Sequence, residues 1–161
     1  MNLRIAPLLP HQIEAARGVV YRSLHEFFGD SEEFAVWQER VRKRDVARDI
    51  EDIERAYLDG GAFWVVLDGD EVVGTCAVRS LSATTCELKR MYLLPRVRGL
   101  GWGKNLAQTA IAWAREAGYT TMRLDTGHIL TRAIALYRAL GFHEIERYND
   151  GPGELFFERT L

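Results

Sequence analysis

Cysteine is scarce in this sequence, with Cys76 and Cys86 the only two among 161 residues. We expect both to be reduced thiols packed on neighbouring strands, because intracellular chains of this size usually keep such residues reduced. The four histidines are scattered, and no Cys/His cluster has the spacing of metal ligands, so we expect no metal site. No apolar run approaches the roughly 18 residues that cross a bilayer, which argues against a membrane partner.

An excess of charge of either sign is also missing. Lys and Arg number 21 and Asp and Glu number 23, which gives a net charge of −2 and a pI near 6.1. Proteins that bind nucleic acids or anionic membranes usually carry a strong basic excess. The sequence therefore predicts a cytoplasmic protein that does not bind nucleic acid, and it leaves homodimer formation open.

What the sequence does contain is a regular succession of strand and helix patterns. The length suits one domain over residues 1–161. The order β-αα-β-β-β-α-β-α-β-β predicts an α/β fold, a mixed sheet of six to seven strands flanked by helices. We place the strands at residues 3–8, 63–67, 72–79, 87–93, 119–125, 142–148 and 155–159, and the helices at 11–29, 31–58 in two pieces, 102–117 and 131–140.

A glycine-rich stretch, residues 96–104, joins the fourth predicted strand to the following helix. Its glycines alternate with larger residues, which lets backbone N–H groups turn toward one point where the helix N-terminus adds partial positive charge. Arg96, Arg98 and Lys104 flank this point, so the expected ligand carries phosphates. The Walker pattern fails because Arg98 replaces its first glycine, and the dinucleotide pattern fails because Lys104 replaces its third.

The pattern Arg98-x-x-Gly101-x-Gly103 resembles the pyrophosphate loop of the GNAT superfamily of N-acetyltransferases. The run Leu136–Phe142 follows at the spacing this family uses, and the element order is that of the GNAT fold. The resemblance implies acetyl-CoA as acyl donor, with its pantetheine arm beside Met91 and Leu93. It places the pyrophosphate on Arg98, Gly99, Leu100, Gly101, Trp102, Gly103 and Lys104. Leu130 departs from the family, which often has an asparagine there that contacts the CoA arm.

The resemblance also implies two catalytic residues. Glu87 matches the carboxylate that accepts the amine proton, directly or through water. Lys89 lies on the same side of the strand and would lower the pKa of Glu87, which favours the water relay. Tyr137 matches the proton donor to the departing CoA thiolate. The alternatives are a surface glutamate at a strand edge and a tyrosine that only packs in the core.

Residues for the acceptor are harder to predict. Asp125 and Thr126, at the end of the fifth strand, are candidate acceptor contacts, although a turn role is equally compatible. Four acidic residues after the first helix suggest a cationic acceptor, but a surface turn is the simpler interpretation; they are Glu26, Asp30, Glu32 and Glu33.

Together these features predict an N-acetyltransferase that transfers the acetyl group of acetyl-CoA to a primary amine by direct attack in a ternary complex. The acceptor is either a small molecule or a peptide. Two alternatives stay open: a non-catalytic acetyl-CoA-binding or regulatory module, and a protein acetyltransferase that modifies N-termini or lysines.

Overall fold

The computed structural model describes residues 1–161 and contains one seven-stranded sheet with helices on both faces. The strands are β1 Leu3–Pro7, β2 Ala62–Asp68, β3 Glu71–Ser80, β4 Thr85–Leu93, β5 Thr121–Thr126, β6 His143–Ile145 and β7 Leu155–Thr160. The helices are α1 Ile13–Phe28, α2 Phe34–Arg42, α3 Arg48–Glu51, α4 Trp102–Glu116 and α5 Thr131–Ala139. The strand order is β1-β2-β3-β4-β5-β7-β6, and all neighbours are antiparallel except β4 and β5. The predicted fold class and element order are confirmed.

Strand β2 shows how the sheet is buried on both faces. Val66 packs in the cluster that contains Leu106 and Ala110 of α4. Its neighbour Val65 packs instead in the cluster that contains Ala16 of α1. Because successive side chains of a strand point to opposite faces, α1 and α4 cover opposite sides of the sheet. Each fully buried aliphatic side chain contributes about 1.5–3 kcal/mol to the free energy of folding.

The sheet opens between β4 and β5, and this opening creates the site. The two strands pair in parallel only at residues 85–87 of β4, after which β5 continues along β7 as far as Thr126. From Leu88 to Leu93, β4 is paired on its β3 side alone. Arg90 has a left-handed φ of 53° where the β3–β4 register shifts, so a β-bulge bends β4 at this point. The bend and the lost pairing leave a gap in the middle of the sheet.

The predicted helical stretch 31–58 is more broken than expected. After α2 come a 3₁₀ turn at Asp45–Ala47, α3, and a π turn at Glu54–Leu58. Side chains from other elements donate to backbone carbonyls that a continuous helix would use: Arg90 donates to Val46 and Arg17 donates to Ile50 and Glu51. These bonds stabilise short helical pieces instead of one long helix.

Strand β6 is shorter than predicted, ending at Ile145 rather than at residue 148. Beyond it, Arg147 donates to the carbonyls of Asn149, Gly151 and Gly153. Because these carbonyls accept hydrogen bonds from a side chain of the same connection, they need no partner strand. The chain therefore leaves the sheet after Ile145 and returns as β7.

Two further features concern the polarity of the helices and the state of the cysteines. None of the helices is both long and apolar enough to cross a lipid bilayer. Cys76 and Cys86 are buried free thiols, and burial raises the pKa of both, that of Cys86 to about 12.

Candidate active site

A groove of about 1830 Å³ occupies the gap between β4 and β5. One half, which we call the donor half after the ligand predicted for it, is lined by residues 88–93 of β4, by α5, and by Arg98, Gly99, Gly101, Gly103 and Lys104. The other, the acceptor half, is lined by the end of α1, residues 37–56, the end of β5 and the turn 149–154. All predicted site residues except Glu87, Leu100 and Trp102 line this groove.

The backbone of the glycine-rich stretch opens into the donor half. Arg98 (φ −74°, ψ 154°) and Gly99 (φ 77°) have the angles of a type II turn, whose third position requires a residue with positive φ. Gly101 caps α4 with a φ of 85°. The N–H groups of residues 101–104 donate to no acceptor in the chain, because the first bond of α4 is donated by Asn105. Free N–H groups at the start of a helix favour an anion, so this geometry is compatible with the anion site that the glycines predict.

Only one of the three predicted basic side chains is free to add charge. Arg96 donates to Asp68 and Glu71. Arg98 forms a bidentate pair with Glu26 of α1 at 2.6 and 2.7 Å and also donates to the carbonyl of Leu93 at 2.7 Å. Its charge is therefore neutralised within the chain. Lys104 is exposed and has no carboxylate partner, so it remains available to a phosphate.

Tyr137 lines the donor half from α5. Its ring is buried and lies edge-on to Phe142, with ring centroids 5.9 Å apart. The hydroxyl has no hydrogen-bond partner within the chain. Burial, with a smaller contribution from nearby negative charges, raises the pKa of Tyr137 well above its usual value, so the phenol stays protonated at neutral pH. A protonated hydroxyl without a partner, facing a groove, can donate to a ligand.

Met91 and Leu93 line the donor half where β4 lacks a partner strand. Their orientation depends on the bulge at Arg90, whose left-handed backbone costs about 1–2 kcal/mol for a residue with a side chain. The Arg90 guanidinium is nearly buried and donates twice to Asp49 of α3, at 2.9 and 2.7 Å. This ion pair holds the bulge in place and could not be foreseen from either residue's neighbours in sequence.

Glu87 is fully buried and does not line the groove. Its carboxylate accepts from Arg79 at 2.8 Å and from the Tyr148 hydroxyl at 2.9 Å, and the Lys89 ammonium lies 3.9 Å away. It lines a separate pocket of about 300 Å³, which adjoins the groove at Arg79 and Asn149. The interpretation as an exposed strand-edge residue is wrong.

Sequence analysis missed both partners of Glu87. Arg79 stands directly opposite Glu87 in the β3–β4 register, so a correct alignment of the hairpin would have revealed this pair. Tyr148 arrives from a turn 61 residues later and carries no local signal.

Asp125 and Thr126 lie at the end of β5 and line the acceptor half, as predicted. The Lys89 ammonium lies 3.3 Å from Asp125 Oδ1. Lys89 therefore stands between two carboxylates, Glu87 on one side and Asp125 on the other. Leu130, the departure from the family pattern, lines the groove together with Thr131.

Three of the four acidic residues at and after the end of α1 have structural partners, and the fourth, Asp30, lies in the turn after α1 with a left-handed φ of 49°. Besides the Glu26 pair with Arg98, Glu32 accepts from Arg40 at 2.6 Å, and Glu33 accepts from the backbone of Val36 as the cap of α2. They support the surface interpretation rather than a cationic acceptor.

Comparisons with known proteins agree with this geometry. The family model described as the acetyltransferase (GNAT) family matches residues 21–142. An uncharacterised N-acetyltransferase of Escherichia coli K12, YjgM, is 44% identical over 90 residues, which cover 54% of each protein. The chain spans about half the length of the curated relatives it matches.

Solved structures extend the likeness to the whole fold. A GNAT-family acetyltransferase from Staphylococcus aureus superposes with a TM-score of 0.82 at 26% identity over 99% of both chains. The PaiA N-acetyltransferase of Thermoplasma acidophilum, solved in complex with coenzyme A, superposes with a TM-score of 0.81 at 16% identity over 100% of both chains. With its glycine-rich loop, divided sheet and family match over residues 21–142, this chain belongs to the GNAT acetyltransferase family.

Proposed function

We propose that this protein transfers the acetyl group of acetyl-CoA to a primary amine by direct attack in a ternary complex. One observation carries the proposal. The free N–H groups of residues 101–104, the unpaired edge of β4 and the hydroxyl of Tyr137 all face one groove. An anion site, an extended backbone edge and a proton donor are the groups needed to hold and cleave a CoA thioester.

The donor half supplies the contacts that acetyl-CoA needs. Its diphosphate suits the N–H groups of Gly101 to Lys104, with the Lys104 ammonium beside it. The extended pantetheine arm, which carries amide groups, suits the edge of β4 at Met91 and Leu93. The coenzyme A complex of the structurally similar Thermoplasma enzyme supports the same donor for this fold.

The reaction requires a balanced movement of protons. The acceptor ammonium loses one proton, and its nitrogen then attacks the thioester carbon, so that a C–N bond forms and the C–S bond breaks. The CoA thiolate takes the proton of Tyr137, and the second proton that leaves the nitrogen passes through water to restore the Tyr137 hydroxyl. The raised pKa of Tyr137 still permits this transfer, because the same dry surroundings raise the basicity of the thiolate. One proton is released overall.

We assign removal of the ammonium proton to Glu87 acting through water. Its carboxylate is closed off from the groove, so direct contact with the amine is not available. Arg79 and Asn149 line both cavities and mark where water would connect them. Tyr137 and Glu87 favour an enzyme over a module that only binds acetyl-CoA, since such a module needs neither residue.

The test is a panel of primary amines, including amino acids, alkylamines, diamines and short peptides, incubated with the protein and acetyl-CoA. We expect at least one amine to release free CoA thiol with formation of the N-acetyl product, measured by mass spectrometry. Tight CoA binding with no product from any amine would support the non-catalytic alternative. Turnover restricted to peptides would support the protein acetyltransferase.

A further inference from the structure

Two carboxylates lie both deep in the protein and on the groove beside β4, those of Asp49 and Asp125. Asp49 already accepts two hydrogen bonds from Arg90 and one from Tyr57, so Asp125 is the one with capacity left for a ligand. Its side chain is 10% exposed and it lines the acceptor half, at the point where β5 has separated from β4. Glu87, the other carboxylate next to Lys89, is completely buried and lines only the smaller pocket. Of the two, Asp125 alone can touch a molecule in the groove.

The hydrogen-bonding capacity of Asp125 is largely unfilled. An ionised carboxylate can accept about four hydrogen bonds. Asp125 receives one, from the Lys89 ammonium at 3.3 Å, which is long for a charged pair. A nearly buried carboxylate with unused acceptor positions is costly unless a ligand or water fills them.

The turn 149–154 is shaped around this carboxylate. A Cβ atom added to Gly153 would lie only 2.5 Å from Asp125 Oδ2, and one on Gly151 would lie 3.9 Å from it. Gly153 does not have a positive φ, so no backbone angle demands glycine there. The close approach to Asp125 is the visible reason for glycine at position 153, and it restricts where the carboxylate can point.

Asp125 is also an electrostatic neighbour of two tyrosines that line the groove. Burial is the main reason that the pKa values of Tyr92 and Tyr137 are raised, and the negative charge of Asp125 adds to both. A cation held at Asp125 would therefore lie near the hydroxyl that we assign as proton donor to the thiolate.

We propose that Asp125 binds the ammonium group of the acceptor beside the thioester, and that Lys89 is a positioning residue that holds the carboxylate for it. This inference rests on the proposed function for its reaction, but ammonium binding itself does not. The acceptor thus binds as a cation. Its proton then passes through water to Glu87, and the neutral nitrogen attacks from the same place.

The test compares Asp125→Asn with two other variants. Asn keeps the size of the side chain and removes its charge. Gly153→Ala keeps the charge and displaces the carboxylate, because its methyl group would meet Oδ2. Asp70→Asn is the control, since Asp70 is an exposed aspartate in the turn between β2 and β3, outside the groove, and has no ion pair.

With the best amine from the panel, we expect KM for the amine to rise about 10- to 100-fold in Asp125→Asn, the usual loss for a hydrogen bond to a charged group. Gly153→Ala should raise this KM as well, and Asp70→Asn should change it less than threefold. The affinity for CoA, measured by calorimetry, should stay within twofold in all three. An unchanged KM in Asp125→Asn would overturn the inference and leave the proposed function standing.

A second measurement does not need turnover. The CoA-loaded protein is titrated with n-butylammonium chloride by NMR, with 1-butanol as the uncharged comparison. We expect the wild type to bind butylammonium in preference to butanol, and Asp125→Asn to lose that preference. If no amine is acetylated but this preference is present and lost in the variant, the proposed function fails and the ammonium site stands. The site would be refuted if wild type and Asp125→Asn bound butylammonium equally well, or if the wild type did not bind butylammonium.

Discussion

The two halves of the groove are built in different ways. In the donor half, the groups assigned to binding are mainly backbone atoms: N–H groups after the glycines and the free edge of β4, with Lys104 and Tyr137 as the contributing side chains. In the acceptor half, they are side chains from the end of α1, from short helical pieces, from the end of β5 and from the turn 149–154. Backbone geometry depends on a few glycines and on strand pairing, so it leaves a readable pattern in the sequence. Side chains converging from four places do not.

The difference also predicts how each half responds to mutation. The donor half should lose CoA binding when its backbone is blocked, whereas changes in its side chains should leave CoA affinity nearly unchanged. The acceptor half should fail when single side chains change. The four variants below test this contrast, from the largest expected effect to the smallest.

Gly101→Asp should reduce CoA affinity by more than 10²-fold, because it adds a negative charge where the diphosphate is expected. The variant also places a side chain at φ 85°, which costs about 1–2 kcal/mol in stability. Gly118→Asp is the control for that strain: Gly118 has φ 92° and equally open space, but it lies at the other end of α4. Both should lose stability in thermal denaturation, Gly118→Asp somewhat more because its charge lies at the negative end of the helix dipole. Calorimetry should show weakened CoA binding in Gly101→Asp alone. Equal CoA affinity in the two variants would remove the loop from the donor site.

Tyr137→Phe should lower kcat by one to three orders of magnitude, about 1.4–4 kcal/mol of transition-state stabilisation, because it deletes the hydroxyl and keeps the ring. CoA affinity and melting temperature should change little, since the hydroxyl has no partner in the chain. Tyr119→Phe, which alters a tyrosine outside the groove, should retain full activity. Full activity in Tyr137→Phe would assign this tyrosine to core packing.

Glu87→Gln should lower kcat about 10²-fold while KM for the amine and the affinity for CoA stay near wild type. This pattern separates it from Asp125→Asn, whose main effect is on KM. Loss of the pair with Arg79 also lowers stability, so activity is compared at temperatures where both proteins are folded. Glu158→Gln breaks a comparable pair with Arg123 and should keep its activity. Rates within twofold of wild type at every pH would show that the enzyme binds amine that is already neutral in solution.

Glu26→Gln should have the smallest effect, below about 1 kcal/mol of stability, because the pair with Arg98 is partly exposed. The hydrogen bonds from Arg98 hold the pKa of Glu26 below its usual value. A lowered folded-state pKa means that the stabilisation is present above the ordinary pKa of glutamate and is lost as the pH falls through the lowered value. The melting temperatures of wild type and variant should therefore converge in acid, whereas Glu146→Gln, which breaks no pair, should match the wild type throughout. A difference that grows in acid would contradict this assignment.

Sequence reasoning succeeded where local pattern determines structure. The order of elements, the glycine loop and the groove-facing Tyr137 follow from periodicity, glycine placement and a motif. It failed where contacts between residues far apart in the sequence determine the local structure. The ion pair of Arg90 with Asp49 and the bond from Tyr148 to Glu87 join residues 41 and 61 positions apart. The broken helices at 45–58 have the same origin, because their carbonyls accept from arginines on other elements.

The free N–H groups of residues 101–104 have a consequence for how binding can be observed. Amides without an acceptor exchange their hydrogen with solvent quickly, whereas amides bonded to a ligand are protected. The start of α4 should thus exchange fast in the free protein and slowly when a diphosphate is bound. Hydrogen exchange at these positions can therefore show whether the donor half is occupied, and the measurement needs neither an acceptor nor turnover.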